Sequence, residues 1–277
     1  MSKLKIHLDL AVVLKEFFEL KDWKQRSLYL GGIYTLISAI FWGYYVMGSM
    51  LMAIPILGIF LFFIPIGLIA IFMMAFYVYL VGYRLDVAEA YRSGNSIEEV
   101  DYMGNYSVRL KKGVILGSAQ FVYSLPIIIF LVIGYAGLLF SVVSIQETPY
   151  YGSESLAFFG MLFSVLILCL GAVLQMAIQL LIVPILHANF LKYNDFSKLF
   201  DFGYMWKLIK ENWLDSVLIW AIMSLLNFLI VSATYFSGFL VFLCIGLFVL
   251  PVVMAISTVY RQHVQARLVG ELAKHID

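Results

Sequence analysis

An all-α membrane bundle with six transmembrane helices and short interfacial amphipathic helices is the fold this sequence predicts, from three observations. Charged residues make up 13% of the 277 residues and hydrophobic ones 63%, with a mean hydropathy of +0.97. A soluble domain carries about 25% charged residues to wet its surface, so this chain is short of polar cover unless a bilayer solvates it. The charges, moreover, are confined to short segments between long charge-free runs. Finally, a six-span threading puts all 18 Lys and Arg residues on one side of the membrane.

The runs fix the spans. Ser27 to Tyr83 is 57 residues without a charge. A helix needs roughly 20 residues to cross a hydrocarbon core, so this run holds two spans, with a turn near Gly48 to Pro55. Gly113 to Gln146 (34 residues) and Ser155 to Leu191 (37 residues) hold one long or tilted span each. Ser216 to Tyr260 (45 residues) holds two, with Ser237-Gly238 as the predicted turn. The spans are therefore about 28–49, 56–83, 113–143, 156–187, 213–235 and 238–260, in a single domain covering 1–277. An excess of Lys and Arg marks cytoplasmic loops, so both termini are expected in the cytoplasm. The first 27 residues show no short apolar core with a cleavage site, and the first span reads as an uncleaved signal anchor.

Each pair of spans has a cytoplasmic lead-in. Residues 9–22 place Leu10, Val13, Leu14, Phe17 and Phe18 on one helical face, the pattern of a helix resting in the interface, with Trp23 as a belt residue. Ser93-Gly94-Asn95 is a stop signal, and Ser96-Ile97-Glu98-Glu99 resembles a capping box opening a short helix. Residues 200–213 interleave aromatic and basic groups ahead of the fifth span. Three such units suggest an internal repeat.

The candidate chemistry is sparse. No Asp, Glu, Lys or Arg lies mid-span, which argues against a proton-coupled transporter. Gln175 and Gln179 are four apart and share a helical face, with His187 near the same stripe; Gln120 and Asn227 are the other amides at depth. Together they form either a polar seam for a ligand or ordinary interhelical hydrogen bonds, worth about 0.6–2 kcal/mol each. His187 has no second ligand at metal spacing and reads as an interface residue. Asp86, Glu89, Glu98, Glu99 and Asp101 cluster after the second span, among Arg84, Arg92 and Arg109. They suit either a divalent cation facing lipid phosphate or an internally paired loop. The Gly31-Gly32, Gly43 and Gly48 series permits close helix approach. Cys169 and Cys244 read as small buried thiols. No phosphate-binding loop, catalytic triad, zinc spacing or nucleic-acid module is present, so no cofactor or metal and no nucleic-acid partner is expected.

Several phrases carry a resemblance: Gly82-Tyr83-Arg84, Lys112-Gly113, Tyr123-Ser124-Leu125-Pro126, the stretch from Phe200-Asp201-Phe202-Gly203 to Asn212-Trp213, and Ala255 with Val259-Tyr260-Arg261. Over residues 19–270 the chain resembles a family of uncharacterised prokaryotic six-span membrane proteins, catalogued as a domain of unknown function. That family is distantly similar to the membrane domain of some glycerophosphodiester phosphodiesterases. A Leu-Pro-Glu-Trp-like stretch common in the family is replaced here by Ile97 to Tyr102. The resemblance implies a prokaryotic plasma membrane and brings no catalytic residue with it. Three function classes follow: a non-enzymatic accessory or membrane-organising component, a passive channel or carrier for a small or lipid-like molecule, and an intramembrane enzyme acting on lipid headgroups. The expected partners are anionic headgroups at the cytoplasmic face, and a protein partner or further copies of the chain.

Overall fold

Apolar runs without a hydrogen-bonding solvent must satisfy their backbone internally, and a helix does this within one segment. In the computed structural model the described residues, namely 6, 9–51, 57–147, 153–240 and 245–276, are helical with short connections. The helices are α1 (Leu10–Glu19), α2 (Trp23–Arg26), α3 (Gly32–Leu51), α4 (Leu57–Ser93), α5 (Tyr106–Glu147), α6 (Ser153–Ala177), α7 (Val183–Tyr193), α8 (Phe202–Phe239) and α9 (Gly246–His275). Ser27–Gly31 joins α2 to α3 as a π-turn, and Ile178–Ile182 joins α6 to α7 in the same way.

Among the described residues, five stretches are long and apolar enough to cross a membrane: Trp23–Gly48, Phe60–Ser93, Tyr106–Val143, Ala157–Tyr193 and Phe202–Phe239. The chain is a membrane-embedded helical bundle. The sixth predicted span, 238–260, falls on the end of α8, on residues 241–244 outside the described set, and on the first half of α9.

The helices outrun the predicted spans. At 1.5 Å per residue, the 37 residues of α4 and the 42 of α5 reach roughly 55–63 Å, twice a hydrocarbon core of about 30 Å. α4 runs on past Tyr83 to Ser93, where the stop signal Ser93-Gly94-Asn95 was expected, and α5 begins at Tyr106, ahead of Gly113. Charge ends a span, but Arg84, Asp86, Glu89 and Arg92 are no bar to a helix. What stops α4 is Gly94, at φ +72°, a conformation only glycine adopts without strain. Ser237-Gly238 is likewise helical and not a turn. The lead-in to the fifth span is a helix, capped by Asp201 and continuous with the span except at Asn212, whose φ −126° and ψ 18° break the helical geometry just before Trp213. The capping sequence at Ser96 opens only a three-residue 3₁₀ turn, Ile97–Glu99.

The three predicted hairpins pack as α3 on α4, α5 on α6 and α8 on α9, and α4 also contacts α5 and α9. Several crossings need glycine. A Cβ at Gly31 would strike the Ala255 carbonyl, and one at Gly82 the Arg109 carbonyl. Of the predicted glycine series, Gly48 meets Phe62, while Gly43 has open space beside it. Gly82 and Ala255, both within the recurring phrases, are thus helix-contact points.

Burial is concentrated at the charge-bearing end. There apolar residues between Tyr79 and Tyr91 of α4, between Ile185 and Leu191 of α7, and between Val259 and Ile276 form one core with Val13 and Phe17 of α1. Toward the other end the helices expose Leu139, Phe140, Phe158 and Phe159, the surface a bilayer covers. Cys169 is exposed there, correcting the expected buried thiol, and Cys244 lies outside the described residues. The apolar face expected on α1 is divided. Val13 and Phe17 point into the protein, with Phe17 packed on Tyr260 and His263, while Leu10, Leu14 and Phe18 face out. Ahead of α1, the Ile6 amide donates 3.0 Å to the buried Asp215 carboxylate on α8.

Candidate functional site

Three arginines are buried at this end, and two are explained by the fold. Arg26 donates to Asp22 (2.7 Å), to the Tyr83 hydroxyl (2.9 Å) and to the Ile97 carbonyl (3.2 Å). Arg109 repeats the arrangement with Asp86 (2.7 Å), the Tyr79 hydroxyl (2.8 Å) and the Asp101 carbonyl. Tyr79 and Tyr83 are four apart on α4, so the two guanidinium groups sit one turn apart and pin the 94–105 connection to that helix. Each clamp combines one carboxylate, one phenol and one carbonyl, which uses most of the guanidinium donors.

Arg84 differs. It is 5% exposed and donates to the Gln265 side chain at 2.6 Å, with no carboxylate partner among the described residues. Arg261, one turn before Gln265, stands near enough for the two charges to repel. His187 on α7 is within electrostatic reach of Arg84, and neither of its ring nitrogens has a hydrogen-bond partner. Beside this group a cleft of about 170 Å³ is lined by Tyr34, Tyr77, Thr234, Ser257, Thr258 and Arg261.

A second cavity, about 520 Å³, is apolar. Leu174, Ile178 and Leu181 form one wall, Met205 and Trp206 another, and Tyr123 and Pro126 the third. The Tyr123 hydroxyl donates to the Leu199 carbonyl at 2.8 Å, tying α5 to the start of α8. The π-turn Ile178–Ile182 shapes this wall: an extra residue in the turn widens the helix, and Pro184 follows immediately.

The predicted polar seam is not assembled. Gln175 is half-buried, Gln179 exposed and His187 fully buried; Gln120 and Asn227 are half-buried on other helices. The π-turn begins between Gln175 and His187 and breaks the register that would have aligned them. The stripe facing the cavity is Leu174, Ile178 and Leu181, one position before the glutamines. It is apolar within an apolar helix, so no contrast in the sequence marks it.

The acidic group is dispersed among partners. Asp86 is held by Arg109 and Lys112, Glu89 by Arg92, and Asp101 accepts from the Met103 amide. No three His, Cys, Asp or Glu residues among those described converge as metal ligands. Nearer the C-terminus, His263 is buried against Phe17 and shares a 2.7 Å hydrogen bond with Tyr91. Burial, aided by Arg26 and Arg267, pushes its pKa down to about 3, so its ring is neutral at physiological pH.

A profile of DUF4013, described as a protein of unknown function, matches residues 66–239. The chain belongs to the DUF4013 family. The DUF4013 region contains every wall of the apolar cavity, together with Arg84, Arg109 and His187; Arg26, Arg261 and Gln265 lie beyond it. No curated protein and no solved structure matches the chain.

Proposed function

We propose that this DUF4013 protein is a non-enzymatic, six-span protein of the prokaryotic plasma membrane, with both termini cytoplasmic, that binds a lipid-like amphiphile. The apolar cavity between α5, the π-turn and α8 carries this reading. Its volume of about 520 Å³ is within the 300–1,000 Å³ of ordinary ligand sites. It lies where the apolar spans meet the charge-bearing core, so an acyl chain could enter from the bilayer while its headgroup stays near Lys207 and Lys210. The confinement of Lys and Arg to one end supports the orientation. The pairing of Asp86 with Arg109 and Lys112 speaks for a structural loop over a catalytic one.

The experiment is photocrosslinking in liposomes with a phospholipid bearing a diazirine in its acyl chain. Labelling is expected to concentrate on peptides containing Ile178 and Met205, and to fall to background there in Ala177→Trp, which fills the cavity. Equal labelling of all bilayer-facing peptides, including those around Leu139, would overturn the reading.

A second reading, an accessory or membrane-organising component, draws on the helical lead-in of α8, which exposes Phe202 and Trp206 beside Lys207 and Lys210. Native mass spectrometry after gentle extraction tests it: a protein partner at fixed stoichiometry supports it, and a lone chain does not.

A further inference from the structure

We propose that Arg92, Lys112 and Lys192 form a binding site for a single phosphomonoester group in the cleft between α4, α5 and α7. The cleft, of about 300 Å³, is lined by all three cations, one from each helix, together with Glu89 and Asn194. Leu85, Phe190 and Leu191 form its apolar wall, and each is buried. The cations are largely buried too: the side chains of Arg92 and Lys112 are each 29% exposed, and Lys192 is half-buried. Apolar walls and partial burial lower the local dielectric, so a charge here acts more strongly than one on the open surface.

The partners of these cations leave most of their donors unused. Among the described residues, Arg92 gives one N–H to Glu89 (2.6 Å), Lys112 one to Asp86 (2.7 Å), and Lys192 one to the Ile276 carbonyl. A guanidinium has five such donors and an ammonium three. Asp86 is held from outside the cleft by Arg109 as well. Of the four charged residues that line the cleft only Glu89 is negative, which leaves an excess of two positive charges. A phosphomonoester carries about −1.5 to −2 charge at pH 7 and three strong acceptor oxygens, so it meets both the excess and the spare donors. A carboxylate, with one charge and two oxygens, meets neither in full. The cleft lies where three charge-free runs stop, at Tyr83, at Gly113 and at Leu191. A lipid headgroup and a soluble phosphate ester both reach that level. The site shares no lining residue with the apolar cavity and does not depend on its occupant.

The test uses the full chain in neutral maltoside detergent. Dissociation constants and thermal unfolding are measured with dioctanoyl phosphatidic acid, with glycerol 3-phosphate, and with dioctanoylglycerol as the uncharged control. A phosphomonoester should bind and raise the unfolding temperature, and the control should not. Phosphatidic acid alone acting would assign a lipid headgroup; glycerol 3-phosphate acting as well would assign the free ester. Arg92→Gln and Lys192→Gln should each weaken binding by at least about tenfold, the loss of one charge-assisted contact. The described partner of Arg92 is Glu89, one turn away on the same helix, so this variant keeps its fold even where Lys192→Gln does not. Glu89→Gln removes the competing carboxylate and should tighten binding, a gain that damage to the fold does not produce. Lys15→Gln, exposed on α1, should bind as the parent does. The proposal is overturned if neither ester exceeds the control, if Arg92→Gln binds unchanged, if Glu89→Gln binds no more tightly, or if Lys15→Gln loses as much as Arg92→Gln.

Discussion

Removing Arg109 should release the 94–105 connection from α4 while leaving the spans in place. Its side chain is 1% exposed and makes three hydrogen bonds: to Asp86, the Tyr79 hydroxyl and the Asp101 carbonyl. Bonds to a charged group contribute about 1.5–3 kcal/mol each, and breaking a buried pair costs about 3–5 kcal/mol. Asp86 is 18% exposed and keeps Lys112 at 2.7 Å, which moderates the penalty, so Arg109→Ala should cost about 3 kcal/mol. At 1.36 kcal/mol per decade that raises the open population of the connection about a hundredfold. The assay is cleavage by a glutamate-specific protease, for which Glu98 and Glu99 offer sites within the connection. The cleavage rate follows the open population when reclosing outpaces cutting. Arg92→Ala is the control. Its pair with Glu89 is largely solvated, at 29% and 41% side-chain exposure, and contributes at most about 1 kcal/mol. Equal cleavage rates in Arg109→Ala and Arg92→Ala would refute the clamp.

Two further outcomes are expected. His263 should make stability fall on acidification. Its folded pKa of about 3 is below the ordinary 6.5, so between those values the unfolded chain takes up a proton that the folded one refuses. The stability is complete above pH 6.5 and is lost toward pH 3, at up to about 1.4 kcal/mol per pH unit. Thermal unfolding against pH should show a shallower slope in His263→Phe, and an unchanged slope would place the acid sensitivity elsewhere. Phe17→Ala should cost about 3–5 kcal/mol, because the ring is fully buried between Tyr260 and His263. Hydrogen exchange should then show α1 exchanging freely while α4 stays protected; equal protection of α1 in variant and parent would contradict the packing.

That the chain is a membrane-embedded helical bundle was legible, because charge-free runs obey a transfer energy that each residue reports for itself. Gly94 was legible too, as a helix stop needing no knowledge of the fold. Other features depend on two decisions that the sequence superimposes. Ending a charge-free run and ending a helix are different events, and α4 does the first at Tyr83 and the second at Ser93. Arg84 and Arg109 are indistinguishable as letters; only the arrival of Asp86 and Tyr79 beside one, and of Arg261 beside the other, separates a clamp from an unneutralised charge. Gln175, Gln179 and His187 differ in exposure for a local reason: a stripe drawn through them takes a uniform 3.6-residue period across Ile178–Ile182, where the helix is wider.

The hydrogen bond from Ile6 to Asp215 has a temporal meaning. The two residues are 209 positions apart, and at 5–20 residues per second the ribosome takes about 10–40 s to traverse that interval. The amino-terminal segment is thus made first and seated late, after Asp215 has been synthesised and, for Phe17, after Tyr260 and His263 have followed. Throughout that wait the apolar side chains of α1 need temporary cover, and the adjacent bilayer surface can provide it. The segment is made before its partners and is held by them once they exist.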